Sequence, residues 1–213
     1  MIKKQSNLID PAELTHPVHR YVGLDEAGRG PLAGPVYAAA VVLDDQSRWQ
    51  KMRDSKTLSA KQREVLASEI KAHALAWSVA SCTVVEIDRL NIFYASLLAM
   101  QRAFEKIKIS VDLAIADGKF GPQLSIPCMS MIKGDKHIAS ISAASILAKV
   151  ARDQEMQRLD VEFPMYSFAK HKGYPTAEHI ALLNEHGACA HHRTSFRPVA
   201  DVLTKFGLTS QTL

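Results

Sequence analysis

Two adjacent carboxylates and a glycine-rich loop stand together near the start of the chain. Asp25 and Glu26 end a short apolar run, and Gly28, Arg29 and Gly30 follow at once. Carboxylates are the oxygen ligands that Mg²⁺ and Mn²⁺ prefer, and an arginine beside them suits a phosphate. Glycine lets the backbone approach a ligand closely. The combination favours metal-assisted phosphodiester chemistry, while a strand end with solvated acids and a glycine turn fits this stretch equally well.

Two more acids follow apolar runs of strand length. Asp117 comes directly after residues 111–116, and Asp135 follows residues 128–132 after a short Lys-Gly step. An acid beside glycine is, taken alone, an ordinary turn. Sites in open α/β sheets, however, gather beyond the ends of the strands. If the strands are neighbours, the repeated pattern predicts one shared site for four carboxylates: Asp25, Glu26, Asp117 and Asp135.

The elements that must position these acids follow from the spacing of the apolar residues. Short apolar runs predict strands that begin at Tyr21 and at Val36, and others over residues 76–85, 111–116 and 128–132. Helical spacing predicts a helix capped by Ser59 and ending near His73, and further helices over residues 86–107, 136–159, 176–186 and 193–207. We expect an α/β core over residues 19–160, a helical region over 161–213 and a loosely held extension over 1–18.

Basic and hydroxyl side chains near these elements are candidates for contact with phosphate. Lys56 precedes the helix that Ser59 caps, and Ser142, Ser145 and Lys149 lie on a helix rich in alanine and serine. The charges around Lys56 also fit a solvated basic helix start. Small residues on the later helix also fit close packing of that helix on a sheet, which is the commoner explanation.

Composition narrows the class of protein. The chain has 213 residues, 47% of them hydrophobic, and a net charge of +4, which permits a nucleic-acid partner without requiring one. Its three cysteines form no Cys-x-x-Cys pair, no apolar run is long enough to span a bilayer, and the first 19 residues lack the apolar segment of a signal peptide. We therefore expect a cytoplasmic protein. The group His186, Cys189, His191 and His192 follows no zinc-finger spacing, so ordinary loop and helix-end histidines are favoured over a metal site.

Several segments, in order along the chain, together resemble a known family, the type-2 ribonucleases H and in particular bacterial ribonuclease HII. The resemblance runs from residue 21 to about residue 200. The segments that carry it are Leu24–Gly34 (LDEAGRGPLAG), Asp54–Leu58 (DSKTL), Asn91–Ile92, Ala116–Gly118, Lys133–Asp135, Ile141–Lys149 (ISAASILAK), His171–Thr176 (HKGYPT), His191–Arg193 and Ser195–Phe196.

The resemblance implies an RNase H-like fold, a five-stranded mixed sheet flanked by helices, with a small C-terminal helical region. It implies hydrolysis of the RNA strand in RNA/DNA hybrids and incision 5′ of single ribonucleotides embedded in duplex DNA. By matching positions, the four carboxylates correspond to the metal site, Gly28, Arg29 and Gly30 to a loop that senses the ribose 2′-hydroxyl, and Tyr174 to a tyrosine that packs on the next deoxyribose. Lys119 departs from the family, where asparagine often follows the Asp-Gly pair.

The expected mechanism uses two divalent ions, Mg²⁺ or Mn²⁺, about 4 Å apart, and leaves a 5′-phosphate and a 3′-hydroxyl. Two rival functions remain open at this point. A junction resolvase or integrase-like nuclease of the same fold also carries acids at strand ends. A non-catalytic nucleic-acid-binding module explains the basic segments but not four acids that repel phosphate.

Partners beyond nucleic acid are only weakly indicated by the sequence. The tail from Val202 to Leu208 has a leucine and a phenylalanine near the spacing of replication-clamp ligands, which leaves a weak clamp contact open. We expect a monomer without membrane contact.

Overall fold

A central five-stranded sheet organises the protein, described here from a computed structural model covering residues 4–5, 20–44, 49 and 58–209. The strands are β1 (Lys4–Gln5), β2 (Tyr21–Ala27), β3 (Val36–Val42), β4 (Ala76–Cys82), β5 (Leu113–Asp117), β6 (Gly121–Pro122) and β7 (Cys128–Met131). The large sheet has the order β4-β3-β2-β5-β7, and β1 pairs separately with β6. Strands β3 and β4 run antiparallel to their neighbours, whereas β2, β5 and β7 are parallel, so the predicted mixed sheet is confirmed.

Seven α-helices cover the sheet and build the C-terminal region. They are α1 (Ala60–His73), α2 (Val84–Leu90), α3 (Ile92–Glu105), α4 (Ala139–Glu162), α5 (Phe168–His171), α6 (Ala177–His186) and α7 (Arg197–Lys205), within the described residues. Ser59 caps α1 as predicted, since its hydroxyl accepts from the Gln62 amide while the Gln62 side chain accepts from the Ser59 amide. Gly187 ends α6 at a positive φ, directly after the helix predicted over residues 176–186.

The small residues of α4 let this helix lie directly on strand β2. A side chain at Gly23 would come within 2.4 Å of the Ser140 carbonyl carbon and 2.5 Å of the Ile141 nitrogen. The alanines of α4 pack with Ala39 and Val41 of β3 in one apolar cluster. The commoner explanation of the small-residue pattern, close packing on the sheet, is therefore confirmed.

The single helix predicted over residues 86–107 is wrong, because Asn91 divides it into α2 and α3. Asn91 has φ +67°, which is incompatible with a continuing right-handed helix. Its side-chain oxygen accepts from the amides of Phe93 and Tyr94, so the same residue ends α2 and caps α3. The apolar periodicity continues across the break and conceals it in the sequence.

The C-terminal elements pack against the open end of the β2–β3 pair. Ala33 forms an isolated bridge with His192, and Gly34 donates from its amide to the His191 carbonyl at 2.8 Å. The stretch that joins α4 to α6, where no helix was predicted, contains a 3₁₀ turn over Pro164–Tyr166 and the short helix α5. Of the predicted extension over residues 1–18, only Lys4–Gln5 are described, paired with Gly121–Pro122.

No helix in the described part of the chain is both long enough and apolar enough to cross a bilayer.

Candidate active site

The parallel strands bring the predicted acids to one edge of the sheet. In the β2–β5 register Leu24 pairs with Ala116, so Asp25 and Asp117 come next on adjacent strands. Strand β7 continues the same edge, and Asp135 follows it in a 3₁₀ turn over Gly134–Lys136. Strand β2 runs on through Ala27, so both acids lie within the strand, one residue further inside than expected.

Of the acids in this group whose pKa is shifted, Asp25 is the most deeply buried. Its side chain is 5% exposed, its carboxylate accepts from the Glu26 amide at 2.7 Å, and the Ser145 hydroxyl on α4 hydrogen-bonds to it. Burial raises the pKa of Asp25 well above its usual range, and the charges of Glu26 and Asp117 raise it further. A cation at this edge would relieve that repulsion.

Glu26 lies beside Asp25 and is partly neutralised by the loop that follows it. Burial raises the pKa of the Glu26 carboxyl, the Arg29 guanidinium opposes that change, and the charge of Asp117 adds to it. The Arg29 Nη1 and Glu26 Oε1 atoms are 3.4 Å apart. Arg29 thus pairs with an acid that borders both of the cavities described below.

Asp117 and Asp135 are linked through a shared turn. The Gly134 amide donates to Asp117 Oδ1 at 2.7 Å, and the next residue, Asp135, is 3% exposed. Among the described residues no three His, Cys, Asp or Glu side chains are grouped closely enough to hold a metal ion as they stand. The carboxylate oxygens of Asp117 and Asp135 are nevertheless the ligands that a hard divalent cation prefers.

A groove of about 380 Å³ opens beside Glu26. Most of the predicted substrate-binding residues line this groove. They are Gly28, Arg29, Gly30, Ser145, Lys149 and Tyr174. Tyr174 faces the glycine loop across the groove, because a Cβ added to Gly30 would lie 3.6 Å from its ring. Ser142 is buried and does not line the groove, and Lys56 lies outside the described residues.

The basic side chains of the groove are partly occupied by ion pairs. Lys149 Nζ lies 2.6 Å from Asp153 Oδ1, and Arg63 Nη2 lies 3.9 Å from Asp153 Oδ2. Arg63 also donates to the Leu58 carbonyl, which ties it to the segment that ends at the start of α1. Arg63 was not among the predicted phosphate contacts, although its place within the basic stretch beside Ser59 was a usable signal.

A second cavity, of about 280 Å³, lies on the other side of Glu26 and Arg29. Asp117, Lys119 and Phe120 line it together with Phe93 of α3, and the two aromatic rings meet edge to face at 5.7 Å. Lys119, the departure from the family pattern, is exposed at this cavity. The carboxylate edge is therefore open on both sides.

Two buried arginines support the glycine loop from beneath, and neither was among the predicted site residues. Gly28 has φ +100°, and a side chain there would overlap Arg152 Nε at 2.1 Å. Arg193 donates to the carbonyls of Gly28, Arg29 and Gly34. Both guanidiniums are fully buried. Arg193 stood inside the His191–Arg193 stretch, but nothing local in the sequence indicates its partners.

A chain of neutral histidines holds the segment that carries Tyr174. His171 Nε2 donates to the Tyr166 carbonyl while its Nδ1 accepts from the Gly173 amide, and its ring stacks on His179 with centroids 4.2 Å apart. His179 Nδ1 donates to the Tyr174 carbonyl at 2.9 Å. These carbonyl partners assign the tautomers, because an oxygen can only accept. The histidines thereby connect α5 and α6 to the groove wall.

The predicted group of C-terminal histidines divides in the structure. His192 is buried, its Nδ1 accepts from the Cys189 amide at 3.1 Å, and its Nε2 lies 3.2 Å from His179 Nε2. His186 and His191 instead lie edge-on to Tyr166 and Phe163. These contacts are packing interactions between helices.

The chain is similar in sequence to known proteins over most of its length. The family model described as Ribonuclease HII matches residues 22–199. A ribonuclease HII of Dechloromonas aromatica (strain RCB) is 54% identical over 192 residues, which is 90% of this chain and 98% of that protein.

Solved structures share the fold. The ribonuclease H2 of Pyrococcus horikoshii OT3 superposes with a TM-score of 0.73 at 23% identity, covering 89% of this chain and all of the other. The ribonuclease HII in a structure of the PCNA:RNase HII complex from Archaeoglobus fulgidus superposes with a TM-score of 0.70 at 25% identity, covering 85% and 96%.

Proposed function

Because the chain belongs to the ribonuclease HII family, we propose that the carboxylate edge and its groove form a ribonuclease H active site. The protein is an endoribonuclease that hydrolyses the RNA strand of RNA/DNA hybrids and incises 5′ of single ribonucleotides in duplex DNA. Like its family, it depends on divalent metal. The roles of individual residues, and the choice between Mg²⁺ and Mn²⁺, belong to the proposal.

Asp25, Glu26, Asp117 and Asp135 are the proposed metal ligands. When bound there, divalent ions supply an activated water and charge stabilisation for the departing 3′ oxygen. The Ser145 hydroxyl and the Glu26 amide hydrogen-bond to the Asp25 carboxylate, and the Gly134 amide hydrogen-bonds to Asp117 Oδ1, so both side chains are held at the edge of the sheet. Arg29, paired with Glu26, can exchange that partner for a substrate phosphate when a cation takes over the carboxylate.

Recognition of the ribose is assigned to the two walls of the groove. The 2′-hydroxyl is the only local mark of a ribonucleotide within DNA, and it both donates and accepts hydrogen bonds. The Gly28–Gly30 backbone forms one wall, and a sugar can approach it closely because the two glycines carry no side chains. Tyr174, 42% exposed and opposite Gly30, offers a flat ring to the sugar of the next nucleotide. Lys149 and Arg63 contribute positive charge along the same groove, and Lys56 is proposed to join them.

The observation that carries this proposal is the meeting of Asp25 and Asp117 on adjacent strands at one sheet edge beside the groove, where burial and neighbouring carboxylates raise the pKa of Asp25. Perturbed acids in a cleft mark functional sites. The test is incision of a DNA duplex that contains one ribonucleotide, with Mg²⁺ and then with chelator. We expect a nick 5′ of the ribonucleotide that requires the metal, and metal-independent or absent cleavage would contradict the proposal.

The same assay separates the rival functions. A junction resolvase would cut a four-way junction made only of DNA, and a binding module would bind the ribonucleotide duplex without cutting it. We expect no cleavage of the all-DNA junction, because the glycine loop and Tyr174 build a groove suited to one sugar rather than to a branch point.

The remaining predictions concern partners and organisation. We propose a core over residues 19–160 and a C-terminal helical region over 161–213 in a monomeric, cytoplasmic enzyme. A weak replication-clamp contact is supported by the 44% exposed Phe206 and by the related protein in the PCNA complex. Val202 and Leu203 are buried in the protein's own core, so such a contact would rely on Phe206 and the residues after it.

A further inference from the structure

The fully buried Arg193 guanidinium packs over the Phe196 ring and donates hydrogen bonds to three backbone carbonyls, two in the glycine loop and one just after it. Its Nη2 donates to the Gly28 carbonyl at 2.6 Å, its Nη1 to the Arg29 carbonyl at 3.0 Å, and its Nε and Nη2 to the Gly34 carbonyl at 3.0 and 2.8 Å. These partners lie 159 to 165 positions earlier in the chain. The contact therefore joins the C-terminal region to the loop beside Glu26.

The planarity of the peptide bond gives these contacts a directional consequence. In a trans peptide the carbonyl of one residue and the amide of the next point in opposite directions. The Gly28 carbonyl points at Arg193, so the Arg29 amide of the same peptide unit points away from Arg193. The Arg29 carbonyl also points at Arg193, so the Gly30 amide points away from it as well. Gly28, Arg29 and Gly30 all line the groove that faces Tyr174.

We propose that Arg193 is a positioning residue that turns the amides of Arg29 and Gly30 toward the groove, where they donate to oxygens of the ribonucleotide. This inference rests on the proposed function of the groove. Arg193 does not touch the substrate itself. It acts by holding two backbone donors in the direction that recognition of the ribose requires, before the substrate arrives.

The chemistry of a guanidinium suits this task better than that of an ammonium. Its planar fork of donors can satisfy three carbonyls at fixed angles, whereas a lysine offers one compact charge on a flexible stem. Hydrogen bonds from a charged donor are stronger than neutral ones, which is needed to hold a glycine loop in one conformation. The charge also lies behind the amides and favours an electron-rich oxygen in front of them.

Keeping the Arg193 guanidinium charged in its buried position costs free energy. Burial and, next, the neighbouring Arg152 lower the pKa of Arg193 to about 9. The charge of Asp88 opposes this change but does not cancel it. The carbonyl contacts of Arg193 are therefore the compensation for its burial.

A purely structural tie is the competing explanation, and other contacts already provide one. Asp88 accepts hydrogen bonds from the amides and hydroxyls of Thr194 and Ser195, at 2.6 to 3.0 Å. The Ala33–His192 bridge anchors the same turn. The C-terminal region thus stays docked by contacts that do not involve the three Arg193 carbonyl partners.

The test is Arg193→Lys, with Tyr166→Phe as the matched control. Tyr166 also donates from its side chain to a buried carbonyl of the C-terminal region, that of Gly187 at 3.0 Å, but it does not contact the loop. Two quantities are measured: kcat/KM for a duplex with one ribonucleotide, and the inhibition constant of the same duplex made only of DNA. The second reports binding that does not depend on the ribose.

We expect Arg193→Lys to lower kcat/KM about 10²-fold, the scale of a donor misplaced by 1 Å, while the inhibition constant of the all-DNA duplex stays within about twofold. Tyr166→Phe should leave both quantities near those of the wild type. A kcat/KM within threefold of the wild type in Arg193→Lys, or an equal loss in both quantities, would overturn the inference.

A second measurement, made on the wild-type protein, tests the inference if the Arg193→Lys variant does not fold. In the wild-type protein, nuclear magnetic resonance should show larger shifts of the Arg29 and Gly30 amides with the ribonucleotide duplex than with the all-DNA duplex. Equal shifts would overturn the role of Arg193. A wild-type protein that never cleaves the ribonucleotide duplex would instead overturn the proposed function, and this inference with it.

Discussion

The carboxylates of the site bring together negative charge that the protein's own groups do not balance. Asp25 and Glu26 both have pKa values raised by burial, and Asp117 raises both further. Arg29, the Ser145 hydroxyl and the Glu26 backbone amide oppose this change. A site in this condition gives up folding stability in exchange for affinity toward a cation.

Replacing Asp25 with asparagine should separate activity from stability. Asp25→Asn removes a ligand oxygen charge, so we expect cleavage to fall by at least about 10²-fold while the ribonucleotide duplex still binds. The melting temperature should stay equal or rise, since a buried repulsion is removed. Asp201→Asn, at an exposed carboxylate, is the control and should change neither. Loss of binding and fold together would point to a structural role for Asp25.

The raised pKa values also predict how metal-free stability depends on pH. A carboxyl whose pKa is higher in the folded than in the unfolded chain stabilises the fold while protonated, and that contribution is lost as pH rises through the folded pKa. For Asp25 and Glu26 the loss begins above their ordinary values of 3.8 and 4.5. We expect the melting temperature of Asp25→Asn in chelator to exceed that of the wild type increasingly from pH 4 to pH 8.

Divalent metal should cancel that difference, because it favours the ionised carboxylates. Added Mg²⁺ should raise the wild-type melting temperature more at pH 8 than at pH 5. A stabilisation that is the same at both pH values would contradict the assignment of these acids to a metal site.

The two loop glycines should respond differently to a methyl group. Gly28→Ala places a side chain at φ +100° against Arg152, so we expect a loss of about 1–2 kcal/mol of stability. Gly30→Ala meets only the Tyr174 ring, at 3.6 Å, so the fold should be unaffected. Its methyl nevertheless enters the groove, and cleavage should drop about tenfold or more. Thermal melting and single-turnover cleavage check both, and a fully active Gly30→Ala would contradict the position given to the ribose.

At the scale of elements, close packing of α4 on β2 and the parallel order of β2, β5 and β7 create the site. The glycine at position 23 allows the first turns of α4 to reach the sheet, which brings Ser145 to Asp25. On the other face, α3 brings Phe93 to the second cavity. The position of α3 in turn depends on the break at Asn91.

That break is testable through the cap it contains. Asn91→Ala loses two amide partners and places a Cβ at φ +67°, so we expect a loss of about 1–2 kcal/mol. Asn91→Gly removes the cap but tolerates the backbone angle, so its loss should be only a few tenths of a kcal/mol. Urea denaturation measures both, and equal losses would show that the angle does not contribute.

At the scale of the whole molecule, the histidine chain couples the C-terminal helices to acidity. Burial lowers the pKa of His192 to about 3 and that of His179 to about 4, and repulsion from neighbouring histidines adds to both. Because these folded values lie below the unfolded value of about 6.5, the neutral rings stabilise the fold above that pH, and the contribution is lost as pH falls from 6.5 toward 3. The acid pair at the sheet edge has the opposite sign.

We therefore expect the C-terminal region to open before the sheet on mild acidification. Hydrogen exchange, corrected for intrinsic rates, should show residues 171–193 losing more protection between pH 7 and pH 5 than strands β2 and β3. His179→Gln should reduce that difference, whereas His137→Gln, at an exposed histidine, should not. Uniform loss of protection would contradict a separate acid-sensitive region.

The sequence alone determined the features that depend on local patterns. Apolar runs placed the five main strands, Ser59 and Gly187 marked the ends of helices, and acids at strand ends indicated the shared edge. Each of these follows from the periodicity of a strand or helix, or from the geometry of one residue, so neighbouring residues carry the whole signal.

Only the tertiary structure decided which distant segments meet. It set Tyr174 opposite Gly30, divided one apolar helix at Asn91, and placed Arg193 beneath a loop more than 150 positions earlier. Such contacts depend on the packing of whole elements, and a buried arginine looks in sequence like any solvated one. Its charge becomes informative only when the fold has removed water from around it and left backbone carbonyls as its partners.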